Sequence, residues 1–262
     1  MSDRRLLPWD SDRRARPGGD AGASPGELVL ANLQWWFEGD YTANVYAGGG
    51  LVLFANRATQ QPATWSPVSG AAPDDGTLNG RRSGVWVPAN GDLLGYDQPL
   101  ATARFTHAAL GSSYLAFVTL NGGPPANQEL LASISGPGAG PGVQIRQTAA
   151  LLQWFVTDGA GVLAVSLTAA RPSALAHFYE FIVAAGSSTM FVDTVQVAAD
   201  TINPTTDADS PLPLTLGARP LAPAVYDRRW PGPIAFVAGN PTPPTAPQRA
   251  QIAAYTQARW GW

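Results

Sequence analysis

The chain has 262 residues, a formal net charge of −3, 45% hydrophobic residues and only 13% charged ones. All 16 basic residues are arginine and are outnumbered by 19 acids, so no basic surface exists to neutralise a phosphate backbone, which argues against nucleic-acid binding. The absence of cysteine excludes disulfides and thiolate metal sites, and His107 and His177 alone leave no multi-histidine centre.

Residues 1–26 are rich in arginine, aspartate and glycine and read as an extended or disordered arm, too polar to bury a core. Leu6, Leu7 and Trp9, with Pro8, form one apolar knot in it, a candidate anchor for a partner. The start lacks the apolar stretch of a secretory signal, and no apolar run is long enough to span a membrane. Residues 27–262 read as one domain of short strands divided by turns. The runs are Leu28–Phe37, Val52–Ala55, Gly84–Val87, Leu93–Tyr96, Ala101–His107, Ser113–Leu120, Glu129–Ser135 and Val143–Arg146. They continue with Leu151–Thr157, Val162–Thr168, Ala174–Ala184, Thr189–Ala198, Pro213–Leu216 and Gly232–Ala238. Asp158-Gly159 marks a hairpin turn between two of them. Such spacing without helical periods predicts an antiparallel sandwich or barrel. One helix is expected, over Ala246–Ala258, opened by Thr245 with Gln248 three residues on and Pro247 in the first turn, and ending near Gly261.

The closing segment, Gly232-Pro233-Ile234-Ala235-Phe236-Val237 followed by Thr245, Gln248, Arg249, Ile252, Tyr255, Arg259, Trp260 and Gly261, resembles the end of concanavalin A-like (laminin-G-like) jelly rolls. Met190-Phe191-Val192-Asp193 resembles the strand before that family's small turn, and Leu214-Thr215-Leu216-Gly217 the strand after it. Asn79-Gly80-Arg81, Val85-Trp86-Val87 and Asp92-Leu93-Leu94 resemble its earlier run. The resemblance implies an all-β fold: a two-sheet antiparallel jelly-roll sandwich with one short C-terminal helix. Val192-Asp193-Thr194 departs from the pattern by lacking the turn glycine.

Jelly rolls of this kind also host glycoside hydrolases, which need two carboxylates across the scissile bond. The four glutamates, Glu27, Glu38, Glu129 and Glu180, never take that family's E-x-D-x-(x)-E order; Glu38 with Asp40 comes nearest. No nucleophile elbow of the type G-x-S-x-G occurs, and both histidines read as packed or hydrogen-bonded. No enzyme is expected. No cofactor is implied, although Asp74, Asp75, Asp92 and Asp97 are oxygen donors that a calcium site could use. Sugars stack on exposed aromatics while acids, amides and guanidinium groups take their hydroxyls. On that ground Trp65 with Asp74 and Asp75, and Tyr226 with Arg228, are the candidate glycan-binding residues. Trp35, Trp36, Trp86, Trp154 and Trp260 read instead as core.

Two functions are compatible with these residues. The first is a virion structural appendage, a capsid or tail fibre, spike or decoration protein. It would carry a lectin-like module, be anchored through the arm, and have other virion proteins, its own copies and surface polysaccharide as partners. The second is a free carbohydrate-binding module or polysaccharide-active enzyme.

Overall fold

The computed structural model describes residues 23–58, 63–68, 72–107, 112–120, 127–184, 186–202 and 208–262. The candidate anchor residues Leu6, Leu7 and Trp9 lie outside them. In chain order the described elements begin with α1 (Pro25–Ala31), β1 (Trp35–Glu38), β2 (Val45–Ala47), β3 (Gly50–Ala55), β4 (Thr64–Pro67), β5 (Asp74–Leu78), β6 (Arg81–Trp86) and β7 (Leu94–Tyr96). They continue with β8 (Ser113–Leu120), β9 (Gln128–Ala132), β10 (Gly142–Gln147), β11 (Leu151–Thr157), β12 (Leu163–Ala170) and β13 (Ala176–Ala184). The last are β14 (Ser187–Val192), β15 (Val195–Thr201), β16 (Thr215–Leu216), β17 (Arg219–Ala222), β18 (Val225–Asp227), β19 (Gly232–Asn240) and α2 (Ala246–Trp260).

Every described pairing is antiparallel. The first sheet runs β15-β14-β13-β8-β19; beyond β19 it continues through β1 at one end and through β6 and β5 at the other. The second runs β12-β11-β10-β9-β16-β7-β4. Strand β3 joins the two, pairing through Gly50–Leu53 with β2 and through Phe54–Ala55 with β4. The result is the expected two-sheet jelly-roll sandwich, with β17 and β18 as a separate hairpin.

Alternation along β1 shows how the layers form. Trp35 and Phe37 point between the sheets, where Phe54, Trp65, Trp154 and Phe181 join them in the main core. Trp36 points the other way, into a second apolar cluster with Leu30, Phe178, Phe236, Ile252 and Trp260. That cluster lies between the first sheet and the helices, so central strands such as β13 are buried on both faces. Each large apolar side chain removed from water there contributes roughly 1.5–3 kcal/mol.

Helix α2 matches its expected start: the Gln248 side chain accepts the Thr245 backbone N–H at 2.9 Å, and Gly261 closes the helix at φ +61°. Three expected runs are corrected. Leu28–Phe37 is not one strand, because Ser24 and Glu27 cap each other's backbone and open α1 instead. Ala101–His107 is a 3₁₀ segment, and Thr189–Ala198 divides into a hairpin at Asp193-Thr194. Gly26, the last residue of the expected arm, lies in α1 and is buried against Tyr255 and Gln251 of α2.

Candidate functional site

The residues proposed from sequence fall into different environments. Trp65 is fully buried, its ring 5.6 Å from Trp35 and 5.3 Å from Tyr96. It cannot stack on a sugar, because strand β4 turns it into the core. Asp74 is exposed on β5. Asp75 is held in a two-pronged ion pair by Arg82, at 2.8 and 2.6 Å, and that guanidinium lies 3.7 Å over the Tyr46 ring. Tyr226 is half-buried on β18, and Arg228 reaches Glu129 at 3.4 Å.

The four aspartates do not form a calcium site. Asp75 pairs with Arg82, Asp97 accepts the Thr64 N–H at 2.9 Å, and Asp92 points inward to accept the Val87 N–H at 2.7 Å. Among the described residues no three acidic or histidine side chains converge to hold a metal.

The glutamates take up structural contacts. Fully buried Glu38 accepts from Arg57 at 2.5 Å and from the Tyr255 hydroxyl at 2.6 Å. Glu27 meets the same Arg57 at 3.2 Å, so a guanidinium fills the gap that a glycosidic bond would need between these two carboxylates. Asp40, the neighbour of Glu38 in the nearest hydrolase-like pattern, pairs with Arg259 at 2.8 Å. Glu129 lies beneath the β17–β18 hairpin. Burial pushes its carboxyl up to about 8 against the pull of Arg146, Arg228 and Arg219. One oxygen takes the Gln144 amide at 3.1 Å, while the other has no hydrogen-bond partner among the described residues.

His177, read from sequence as packed or hydrogen-bonded, forms a chain of contacts whose partners the sequence did not mark. Its Nδ1–H donates to Asp193 at 2.6 Å, and its Nε2 lies 3.0 Å from the Ser173 hydroxyl and 3.2 Å from the Ser173 carbonyl. Asp193 also accepts the Phe178 N–H at 2.9 Å, which ties the β14–β15 turn to β13. No G-x-S-x-G pattern marks this serine, because it precedes a strand and not a helix.

A groove of about 510 Å³ opens beside α2, between the helix and the β14–β15 turn. Four alanines of α2 line one side, and Glu180, Thr194, Arg249, Gln257 and Trp262 supply its other chemistry. Glu180, 2% exposed, points up from β13 and accepts the Tyr114 hydroxyl at 3.2 Å. Burial raises its carboxyl above the ordinary value, opposed by Arg249 and by the Tyr114 hydrogen bond. The Arg249 guanidinium lies 4.4 Å over Phe191, and its Nε comes within 3.5 Å of Glu180. Trp262 stacks on Phe178 at 5.3 Å and donates its indole N–H to Thr256 at 3.1 Å. None of these groove residues was a glycan-binding candidate from sequence, although Glu180, Thr194 and Arg249 stood out there for other reasons.

No protein-family model matches the chain, and no curated protein does. Solved structures do resemble it. The botulinum neurotoxin serotype D binding domain superposes with a TM-score of 0.62 at 10% identity, over 91% of this chain and 56% of that one. The binding domain of Paraclostridial Mosquitocidal Protein 1 gives 0.57 at 9%, over 88% and 53%. The binding domain of botulinum neurotoxin DC, solved in complex with SialylT, gives 0.60 at 6%, over 87% and 52%. The chain thus spans about half the length of these neighbours, and at such identity the likeness establishes a shared β-sandwich fold.

Proposed function

We propose that the chain is a non-enzymatic, lectin-like module that binds cell-surface glycans as part of a virion appendage, with residues 1–26 as its anchor. The observation that carries the binding reading is the fate of the glutamates. The four glutamates never take the order in which this fold's hydrolases carry their acid–base pair, and each lies against an arginine (Arg57, Arg228 or Arg249), which favours recognition over catalysis. The three structural neighbours described above, each a binding domain, support it. Asp74, Asp75, Tyr226 and Arg228 are the sequence-proposed contacts that remain at the surface, Asp75 in its pair with Arg82. The virion reading rests on the low charge and the arm's apolar knot. A glycan panel tests the module: binding without release of reducing ends supports it, and cleavage of any polysaccharide overturns it.

A second reading, an acyl hydrolase, is favoured by the Ser173–His177–Asp193 chain of hydrogen bonds, which has the order of a catalytic triad. Against it, Nε2 also faces the Ser173 carbonyl, so the nitrogen a general base would use is shared with a backbone acceptor. Labelling by a fluorophosphonate probe that disappears in Ser173→Ala would establish this reading in place of the first.

A further inference from the structure

The geometry points to the groove beside α2 as the saccharide subsite of this chain, where Glu180 and Arg249 together read two adjacent hydroxyls of an uncharged pyranose. This rests on the glycan-binding reading above and moves its centre away from Asp74, Tyr226 and Arg228. A groove of about 510 Å³ falls within the range of small-molecule clefts, roughly 300–1,000 Å³. A row of alanines would not make a site of it. What marks it is a carboxyl 98% withdrawn from solvent, counting from its 2% exposure, that still borders the groove. Its Oε1 takes the Tyr114 hydroxyl and lies 3.5 Å from Arg249 Nε. A carboxylate has about four lone-pair sites, so this one keeps acceptor capacity for something that enters the groove.

Arg249 offers the complementary half. Its Nε is buried without a hydrogen bond, and 3.5 Å from Glu180 it makes an ion contact and no hydrogen bond. Packing on Phe191 holds the guanidinium plane in place, so its donors are fixed before a ligand arrives. An acceptor and a fork of donors side by side match vicinal hydroxyls, each of which donates through its hydrogen and accepts through its oxygen. The pair also selects on charge. An anionic sugar would meet Glu180, a cationic one Arg249, and a neutral polyol neither penalty.

The remaining lining suits the same ligand. The alanines of α2 stop at Cβ and leave a smooth apolar wall for the C–H face of a ring, and Trp262 adds an aromatic surface held by Phe178. Thr194 stands on the rim at φ +69°, beside Asp193 at φ +49°, in a two-residue hairpin turn where glycine or asparagine would be less strained. Strain retained beside a cleft fits a rim whose hydroxyl is used.

The test is calorimetric titration of the full chain with glucose, galactose, mannose, lactose and maltose, their single-deoxy analogues, and sialyl and uronic-acid counterparts. Glu180→Gln, Arg249→Lys, Asp74→Ala and Tyr226→Ala variants are compared after thermal melts confirm that each is folded. Expected is binding of at least one neutral sugar, a tenfold or greater loss in both groove variants and in one deoxy analogue, and little change in Asp74→Ala and Tyr226→Ala. Glycan binding that survives both groove substitutions, or that is confined to acidic sugars, overturns the groove while leaving the lectin-like reading intact. Failure to bind any sugar overturns both.

Discussion

Glu129 shows how a single side chain sets a pH dependence. Its carboxyl, displaced by burial to about 8 from an ordinary 4.5, stays protonated in the folded chain through a range where the unfolded chain has already ionised. The folded state therefore holds more protons between those values. Stability contributed by this group is present below about 4.5, falls as pH rises toward about 8, and then levels off. Urea midpoints should drop between pH 5 and pH 8 in the parent chain and drop less in Glu129→Gln; an equal drop in both would refute the assignment. Glu38 differs because its partners are complete. Replacing it by alanine leaves the half-buried Arg57 and Arg259 with Glu27 and Asp40 alone and the Tyr255 hydroxyl without its acceptor, and should cost on the order of 3 kcal/mol in chemical denaturation. Single residues were the least legible scale in the sequence. Trp65 has a polar, proline-flanked context that looks exposed, yet strand alternation in β4 decides which way it faces. Glu180 and Arg249 are distant in sequence and meet only because α2 lies across β13.

Elements were legible wherever a local signal was complete. Strands β8 and β11 fall at their expected residues, and α2 follows from its cap. Helix α1 carries the same signature, Ser24 and Glu27 with Pro25 between, but at seven residues it adds too little apolar periodicity to be separated from the strand-like run after it. What holds it is contact with α2. A Cβ on Gly26 would come within 2.5 Å of the Tyr255 Cβ and 2.6 Å of the Gln251 carbonyl, both on the neighbouring helix. Gly26→Ala should therefore separate the helices and lower stability by roughly 1–3 kcal/mol, as overpacking does. Ser24→Ala, which removes the cap alone, should cost about 1 kcal/mol. Thermal melts that rank these two the other way would show that the cap, and not the close approach, holds α1.

At the scale of the whole molecule, the fold was readable because its motifs are spread along the chain and each constrains one strand or turn of the sandwich. Function was not, since those motifs serve packing. Gly217, for example, sits at φ +85° with its Cα against the Trp86 indole, where any side chain would collide. The arm is where the sequence departs most from this architecture. The described domain closes its own cores: Leu30 of α1 packs with Ile252 and Trp260, and the Ser24 cap ends the helix layer without residues 1–20. Leu6, Leu7, Pro8 and Trp9 would then have no part in domain stability. An aromatic anchor in an apolar knot suits a partner groove, where one central side chain often supplies much of the interface energy. Arginines around it would pair with acidic rim groups and set register more than affinity. Deleting residues 1–20 should leave the melting temperature nearly unchanged and abolish incorporation into a particle or oligomer, read by sedimentation of co-expressed components. A fall of several degrees in the melting temperature would mean that the arm belongs to the domain. Normal incorporation of the truncated chain would remove its role as an anchor.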